Sequence, residues 1–303
     1  MKRLFALLLA LMLILTLAAC GDGSKADTND NANPSQNEGN KDDGNKNEGN
    51  DKLSFTELIA VDNAECFIKI TGIEPDNFWG YGLKAQLENK SEDKTYMFSL
   101  DTAAINGVEC LSMFAVEVAP GKKANESISL MDDGFDQYGV GQYTDIELTF
   151  SVYDSNDWLA DPVAVETVHV YPYGQEKVTK FVRKAQASDN VLVDNDSVTV
   201  IVTGYEQDEI WGYTVNLFLV NKTDHSVMFS ADDASVNGFM ADPFYATSVS
   251  AGKCAFSSMS WSDSTFAENG IQKVNEIEFT LRVHNADDWL SEDLVNEAIT
   301  LKP

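Results

Sequence analysis

Two acidic turns end in tryptophan: Asp154-Ser155-Asn156-Asp157-Trp158 and Asn285-Ala286-Asp287-Asp288-Trp289. A flat indole at a loop rim can stack on a sugar or anchor a protein partner. Trp158, Trp289, Asp157 and Asp288 are therefore the candidate ligand-binding residues. The same ring can instead fold back and plug the end of its domain, which is the blander expectation. Calcium wants many oxygen ligands, and these turns lack the DxDxDG order; Asp154 also becomes Asn285 in the second turn. Asp132-Asp133-Gly134-Phe135-Asp136 is acidic as well, but its counterpart keeps only Asp263 and Phe266. A solvated acidic loop is the reading there, a calcium-binding adhesion domain the weaker alternative. No metal and no cofactor are expected.

These turns belong to an internal repeat. Val61-Asp62-Asn63 recurs as Val193-Asp194-Asn195, Thr71-Gly72 as Thr203-Gly204, Trp79-Gly80-Tyr81 as Trp211-Gly212-Tyr213, and Asn89-Lys90 as Asn221-Lys222. One residue is then dropped. Met97-Phe98-Ser99 matches Met228-Phe229-Ser230, Asn106-Gly107 matches Asn237-Gly238, Gly121-Lys122 matches Gly252-Lys253, and Asp157-Trp158-Leu159 matches Asp288-Trp289-Leu290. So many ordered matches at one near-constant spacing mark a duplication.

The duplication also sorts candidate catalysts. His169, His225 and His284 correspond to Thr300, Asp93 and Tyr153, so no histidine is repeated. No Ser-His-Asp or Cys-His set recurs, and neither GxSxG nor HExxH is present. Cys66, Cys110 and Cys254 align with Val198, Ala241 and Lys123, which gives no repeated disulfide. Cys66 stands where the other copy has a core valine and reads as a buried thiol; a Cys66–Cys110 bridge is the alternative. No CxxC spacing suggests a metal. The expectation is a chain that is not an enzyme.

The elements that carry these residues read as strands. Cys66, Ile68 and Ile70 alternate with Phe67 and Lys69, and Val198, Val200 and Val202 take the same face in the second copy. Tyr81 to Leu87, Ile146 to Val152 and Ile277 to Val283 alternate likewise. A period of two requires one buried and one wet face per strand, hence two sheets packed together. By the same parity Trp79 and Trp211 point to the apolar face. Asn106-Gly107 and Asn237-Gly238 are tight-turn signals. Asp132 to Tyr138 and Asp263 to Asn269 read as single helical turns. The fold class is all-β: two tandem Ig-like β-sandwich domains of roughly seven short strands each.

The chain opens with Lys2 and Arg3, an apolar run from Leu4 to Ala19, then Leu17-Ala18-Ala19-Cys20-Gly21. The run is too short for an ordinary span, and the motif resembles the lipobox of bacterial lipoproteins. That resemblance implies lipidation of Cys20, cleavage before it and stable membrane anchoring through two acyl chains. Gly21 to Asp51 has no Val, Ile, Leu or aromatic residue and cannot repay its ordering entropy. As a flexible coil its ends lie on the order of 30 Å apart, with a stretched reach of about 100 Å. Residues 1–19 thus read as signal peptide, 20–52 as lipidated cysteine and disordered tether, 53–172 as the first repeat, 173–190 as a linker and 191–303 as the second repeat.

The formal net charge is −28, most of it in the repeats. Nucleic acid is excluded as a partner, because its binding requires phosphate neutralisation by Lys and Arg. Anionic lipid is repelled beyond the reach of screening. The linker alone is basic, with Lys177, Lys180, Arg183 and Lys184 around an expected strand at Val178 to Val182. It is expected to dock on the acidic domain surfaces. Lipobox, low-complexity tether and acidic Trp-Gly-Tyr repeats together resemble Ig-like surface lipoproteins of Gram-positive bacteria. The resemblance implies architecture and an extracytoplasmic location, with no activity or binding residues to carry over. The reading is a membrane-anchored, non-enzymatic binding or display module of the cell envelope, its partner an envelope protein or glycan. The alternative is a glycan-binding module using the loop tryptophans.

Overall fold

Alternating sequence becomes alternating burial. Cys66, Ile68, Ile70, Leu83, Leu87, Ile146, Leu148, Phe150 and Val152 are fully buried, and so are Val198, Val200, Leu219, Ile277 and Val283. Each such side chain contributes roughly 1.5–3 kcal/mol relative to staying exposed. The computed structural model describes residues 52–132, 134–288 and 290–303, so Cys20, its lipobox and the tether lie outside the described residues.

Nine strands occupy the first repeat: β1 (Leu58–Asp62), β2 (Cys66–Asn77), β3 (Gly80–Asn89), β4 (Tyr96–Ile105), β5 (Val108–Ser112), β6 (Ala115–Val118), β7 (Lys123–Met131), β8 (Ile146–Asp154) and β9 (Ala164–Val170), with helix α1 (Phe135–Tyr138) between the last two pairs. Nine more follow: β10 (Asn190–Asp194), β11 (Val198–Asp208), β12 (Gly212–Asn221), β13 (Val227–Val236), β14 (Phe239–Met240), β15 (Ala246–Val249), β16 (Cys254–Trp261), β17 (Ile277–Asn285) and β18 (Val295–Leu301), with α2 (Asp263–Glu268) before β17. In each repeat one sheet runs β1-β2-β3-β7 or β10-β11-β12-β16. The other runs β9-β8-β4 or β18-β17-β13, with β5 and β6, or β14 and β15, sharing the far edge. The count exceeds seven because the chain crosses between sheets in short pieces, too brief for alternation to register. Each sandwich has its own hydrophobic core.

Asn106 and Gly107 both have positive φ, as do Asn237 and Gly238, and close the expected tight turns. The ladders of β2 and β11 each slip one residue before Gly72 and Gly204, so the repeated Thr-Gly pair is a bulge.

The repeats meet end to side within one compact unit. Val108 of β5 pairs in parallel with Cys254 of β16, whose N–H donates to Gly107 O at 3.0 Å. Ser250 N–H donates to the Glu109 carboxylate at 2.8 Å, and Lys253 Nζ reaches Glu147 at 2.6 Å. Tyr138 stacks on Phe256 with centroids 3.8 Å apart, and Phe181 of the linker packs on Phe218 and Phe256. The linker is not a strand at Val178 to Val182. Arg183 forks onto Asp189 in the same segment, and its guanidinium covers the Phe218 ring of the second repeat.

Candidate functional site

Most residues shared by the two repeats are consumed by the fold. Asn63 Oδ1 accepts the N–H of Glu65 and Cys66, and Asn195 does the same for Ser197 and Val198. Buried Asn89 donates to Lys94 O and Val118 O; buried Asn221 donates to His225 O, Val249 O and Ser250 O. Lys90 spans Asp62 and Asn63 O, and Lys222 spans Asp194 and Asn195 O. Asn106 and Asn237 each clamp the loop before β8 or β17 through its backbone N–H groups. At the buried Asn89 and Asn221, losing the amide would leave buried backbone carbonyls unpaired at about 1–3 kcal/mol, which explains the repetition of these two.

The repeated tryptophan of Trp-Gly-Tyr has no such employment. Trp79 is 67% exposed and Trp211 54%, which corrects the parity argument that sent both rings inward. The ladder stops at Asn77 opposite Gly80, so Phe78 and Trp79 form the two-residue hairpin tip; Asp208 pairs with Gly212 around a tip of three. Gly80 (φ +106°) and Gly212 (φ +79°) break the alternation on which parity depends. A Cβ there would stand 2.1 Å from Leu130 O or 2.2 Å from Trp261 O, so only glycine fits. Asn77 Oδ1 accepts Trp79 N–H, and Asp208 Oδ1 accepts both Ile210 and Trp211 N–H, fixing each tip. These N–H groups, Trp211's first and then Ile210's, hold the Asp208 carboxyl below its ordinary range. The core indole is instead Trp261, whose Nε1–H donates to Ala241 O at 2.7 Å.

Around each tip the apolar surface widens. Phe78 meets Trp79 edge to face at 4.8 Å, with exposed Leu111 and Met113 at the same end of the sheet. In the second repeat Trp211 stacks on exposed Phe244 at 5.6 Å and 12°, beside exposed Ile210. Composition shows neither partner; the signal that could have found the tip is the glycine directly after each tryptophan.

The acidic turns look different. Trp158 is 40% exposed, neither sealed in nor free-standing, and Trp289 lies outside the described residues. Leu159 and Leu290 beside them are exposed. Asp154 Oδ1 accepts Asn156 N–H, and Asn285 Oδ1 accepts Asp287 and Asp288 N–H, so this position serves as a turn cap in both copies. Asp157 N–H and O close the turn, and Asp288 accepts Leu290 N–H. Among the described residues no group of three or more His, Cys, Asp or Glu is placed to hold a metal ion. Cys66, Cys110 and Cys254 are free thiols, so the Cys66–Cys110 bridge is absent. Burial pushes Cys66 up to about 11 and Cys254 up to about 12, the reverse of an activated nucleophile.

No family model and no curated protein matches the chain. Among solved structures, the YadV chaperone is similar at 13% identity over 78% of this chain and 100% of that one, with a TM-score of 0.23. Red sea bream transglutaminase is similar at 10% identity over 83% of this chain and 31% of that one, TM-score 0.22. The CsuC–CsuE chaperone–tip adhesion subunit complex of Acinetobacter baumannii is similar at 8% identity over 72% and 90%, TM-score 0.21. Scores this low carry no argument about function, and the fold class stands on the strand order itself.

Proposed function

We propose that this chain is a non-enzymatic binding module, held outside the membrane by lipid on Cys20 and making its contacts through the aromatic hairpin tips. One observation carries the reading: both copies spend a tryptophan at a tip where it is exposed and gives the fold little. Burial of what each ring leaves exposed removes roughly 130–170 Å² from water, about 3–4 kcal/mol before association costs. The lipobox motif and the polar tether support display at a distance from the anchor. Labelling with palmitate tests the anchor: Cys20→Ala should lose label, and wild type released wholly unlabelled would refute it.

The tips are tested with full-length protein on isolated cell envelopes. The double variant Trp79→Ala/Trp211→Ala should stay folded, losing no more than about 1.5 kcal/mol of stability, and lose binding. Undiminished binding would overturn the reading. A glycan platform is the second reading, favoured by the near-parallel Trp211–Phe244 pair. It requires that oligosaccharides of the envelope bind wild type and not Trp211→Ala.

A further inference from the structure

The far end of the second repeat is an uncovered version of a surface that is occupied in the first. In the first repeat the Asn106-Gly107 turn and β5 hold the second repeat: Gly107 O takes Cys254 N–H, Val108 pairs with Cys254, and Glu109 takes Ser250 N–H. Their counterparts are Gly238, Phe239 and Met240. Val108 is fully buried, whereas Phe239 is 49% and Met240 67% exposed. Ile210, Trp211 and Phe244 extend the same end as exposed apolar surface.

Charge then selects the occupant. Glu206, Asp208, Glu209, Asp242 and Asp263 stand on the segments that build this end, and residues 204–215, 239–248 and 261–267 contain no Lys or Arg. No ion pair neutralises these five acids among the described residues. Glu206 bonds Asn216, Asp263 bonds Gln207, and Asp208 caps the tip backbone. The first repeat differs at one telling position, for Lys84 pairs with Glu74 where Asn216 faces Glu206.

Resting on the binding-module reading, we infer that Trp211, Phe244, Ile210 and Met240 dock a protein segment that presents apolar side chains flanked by Lys or Arg. An apolar centre with a charged rim is the usual build of a protein interface, and the rim sets partner choice and encounter rate. Bare lipid and neutral glycan offer nothing to match five carboxylates.

The probes are two labelled amphipathic peptides, one of alternating Leu and Lys and one of Leu and Glu, titrated into the full chain. The Leu/Lys peptide should bind, and the Leu/Glu peptide should not. Trp211→Ala/Phe244→Ala should weaken binding by about tenfold or more, as for interface hot spots. Glu209→Gln/Asp242→Asn, at exposed side chains outside the turn cap, should weaken it several-fold and reduce its salt dependence. Leu/Lys binding unaffected by the aromatic variant would show bulk charge attraction alone and overturn the inference. So would equal binding of the Leu/Glu peptide, or phosphatidylcholine vesicles, oligosaccharide or a second copy of the chain as the species that the aromatic variant releases. Loss of envelope binding in Trp79→Ala/Trp211→Ala with no peptide binding would refute this partner and leave the module reading standing. Retained envelope binding would strike the module reading itself.

Discussion

In the first repeat, Glu109 lies half-buried against the second, Val108 is sealed in the joint, and Lys84 neutralises Glu74 beside the tip. In the second repeat the same three places hold Met240, Phe239 and Asn216: two exposed apolar side chains and a neutral amide. The interior meanwhile stays buried at equivalent positions. Phe98 and Phe229 are both fully buried, and the Asn89 and Asn221 clamps span corresponding loops. Duplicated domains of one fold are therefore constrained in the core and free at the ends. The ends show one copy adapted to hold its neighbour and the other left open.

The comparison can be broken first at its constant part. Phe98→Ala and Phe229→Ala each remove a fully buried ring from equivalent strands. Each should cost about 3–5 kcal/mol in urea melts followed by far-UV circular dichroism. A large loss in one copy alone would mean that the two cores are not energetically alike. Next come the clamps. Asn89→Ala strands Lys94 O and Val118 O, and Asn221→Ala strands three carbonyls, so each should cost about 2–3 kcal/mol. Stability within about 0.5 kcal/mol of wild type would show that water replaces the amide.

These two tests rest on features that the sequence displays openly. Strand faces were legible because a period of two survives in Cys66 to Ile70, Tyr81 to Leu87 and Ile146 to Val152, where one face packs on the core and the other meets water. The Asn-Gly turns were legible because both residues tolerate positive φ. The tips were not. Counting parity from Tyr81 back to Trp79 assumes extended backbone, and Gly80 at φ +106° reverses the direction of the preceding side chain. The joint was hidden for another reason: Tyr138, Phe181, Phe218 and Phe256 are far apart in sequence and follow no period. Phe181 lies among the linker's charged residues, whose pattern does not point to the aromatic packing it makes.

The joint gives a pH-dependent test of opposite sign. Burial, opposed by the Ser250 hydrogen bonds and by Lys253, raises the Glu109 carboxyl above its ordinary range. A carboxyl raised in the folded state supports folding while protonated, and that support is lost as pH rises through its folded value. Wild type should therefore lose stability relative to Glu109→Gln as pH rises from about 4 to 7, the glutamine keeping an acceptor for Ser250 N–H. Other carboxylates, such as Asp189 beside Arg183, are shifted down and drive both proteins the other way. Only the difference between the two melting series is diagnostic. A difference that stays flat with pH would show that Glu109 is solvated and that the joint is looser than its contacts imply.

The smallest effect on stability is expected at the tips, and there the two copies should separate. Trp79 touches Phe78 edge to face, and both rings are exposed, so Trp79→Ala should change stability by less than about 0.5 kcal/mol. Trp211 lies flat on Phe244, which a bridge to Ser260 ties to the sheet, so Trp211→Ala should forfeit about 0.5–1 kcal/mol of ring packing. If the rings were parts of the fold, both values would approach those of Phe98→Ala. Equal, near-zero values would mean that the Trp211–Phe244 stack contributes nothing in solution. A measurable cost at Trp211 alone would mark a platform already organised before its partner arrives, whereas Trp79 would have to be ordered by the partner itself. That difference should appear in binding as well. The ordering cost of an immobilised side chain is about 0.5–1.5 kcal/mol, so a partner that accepts either tip should favour the second by up to about tenfold.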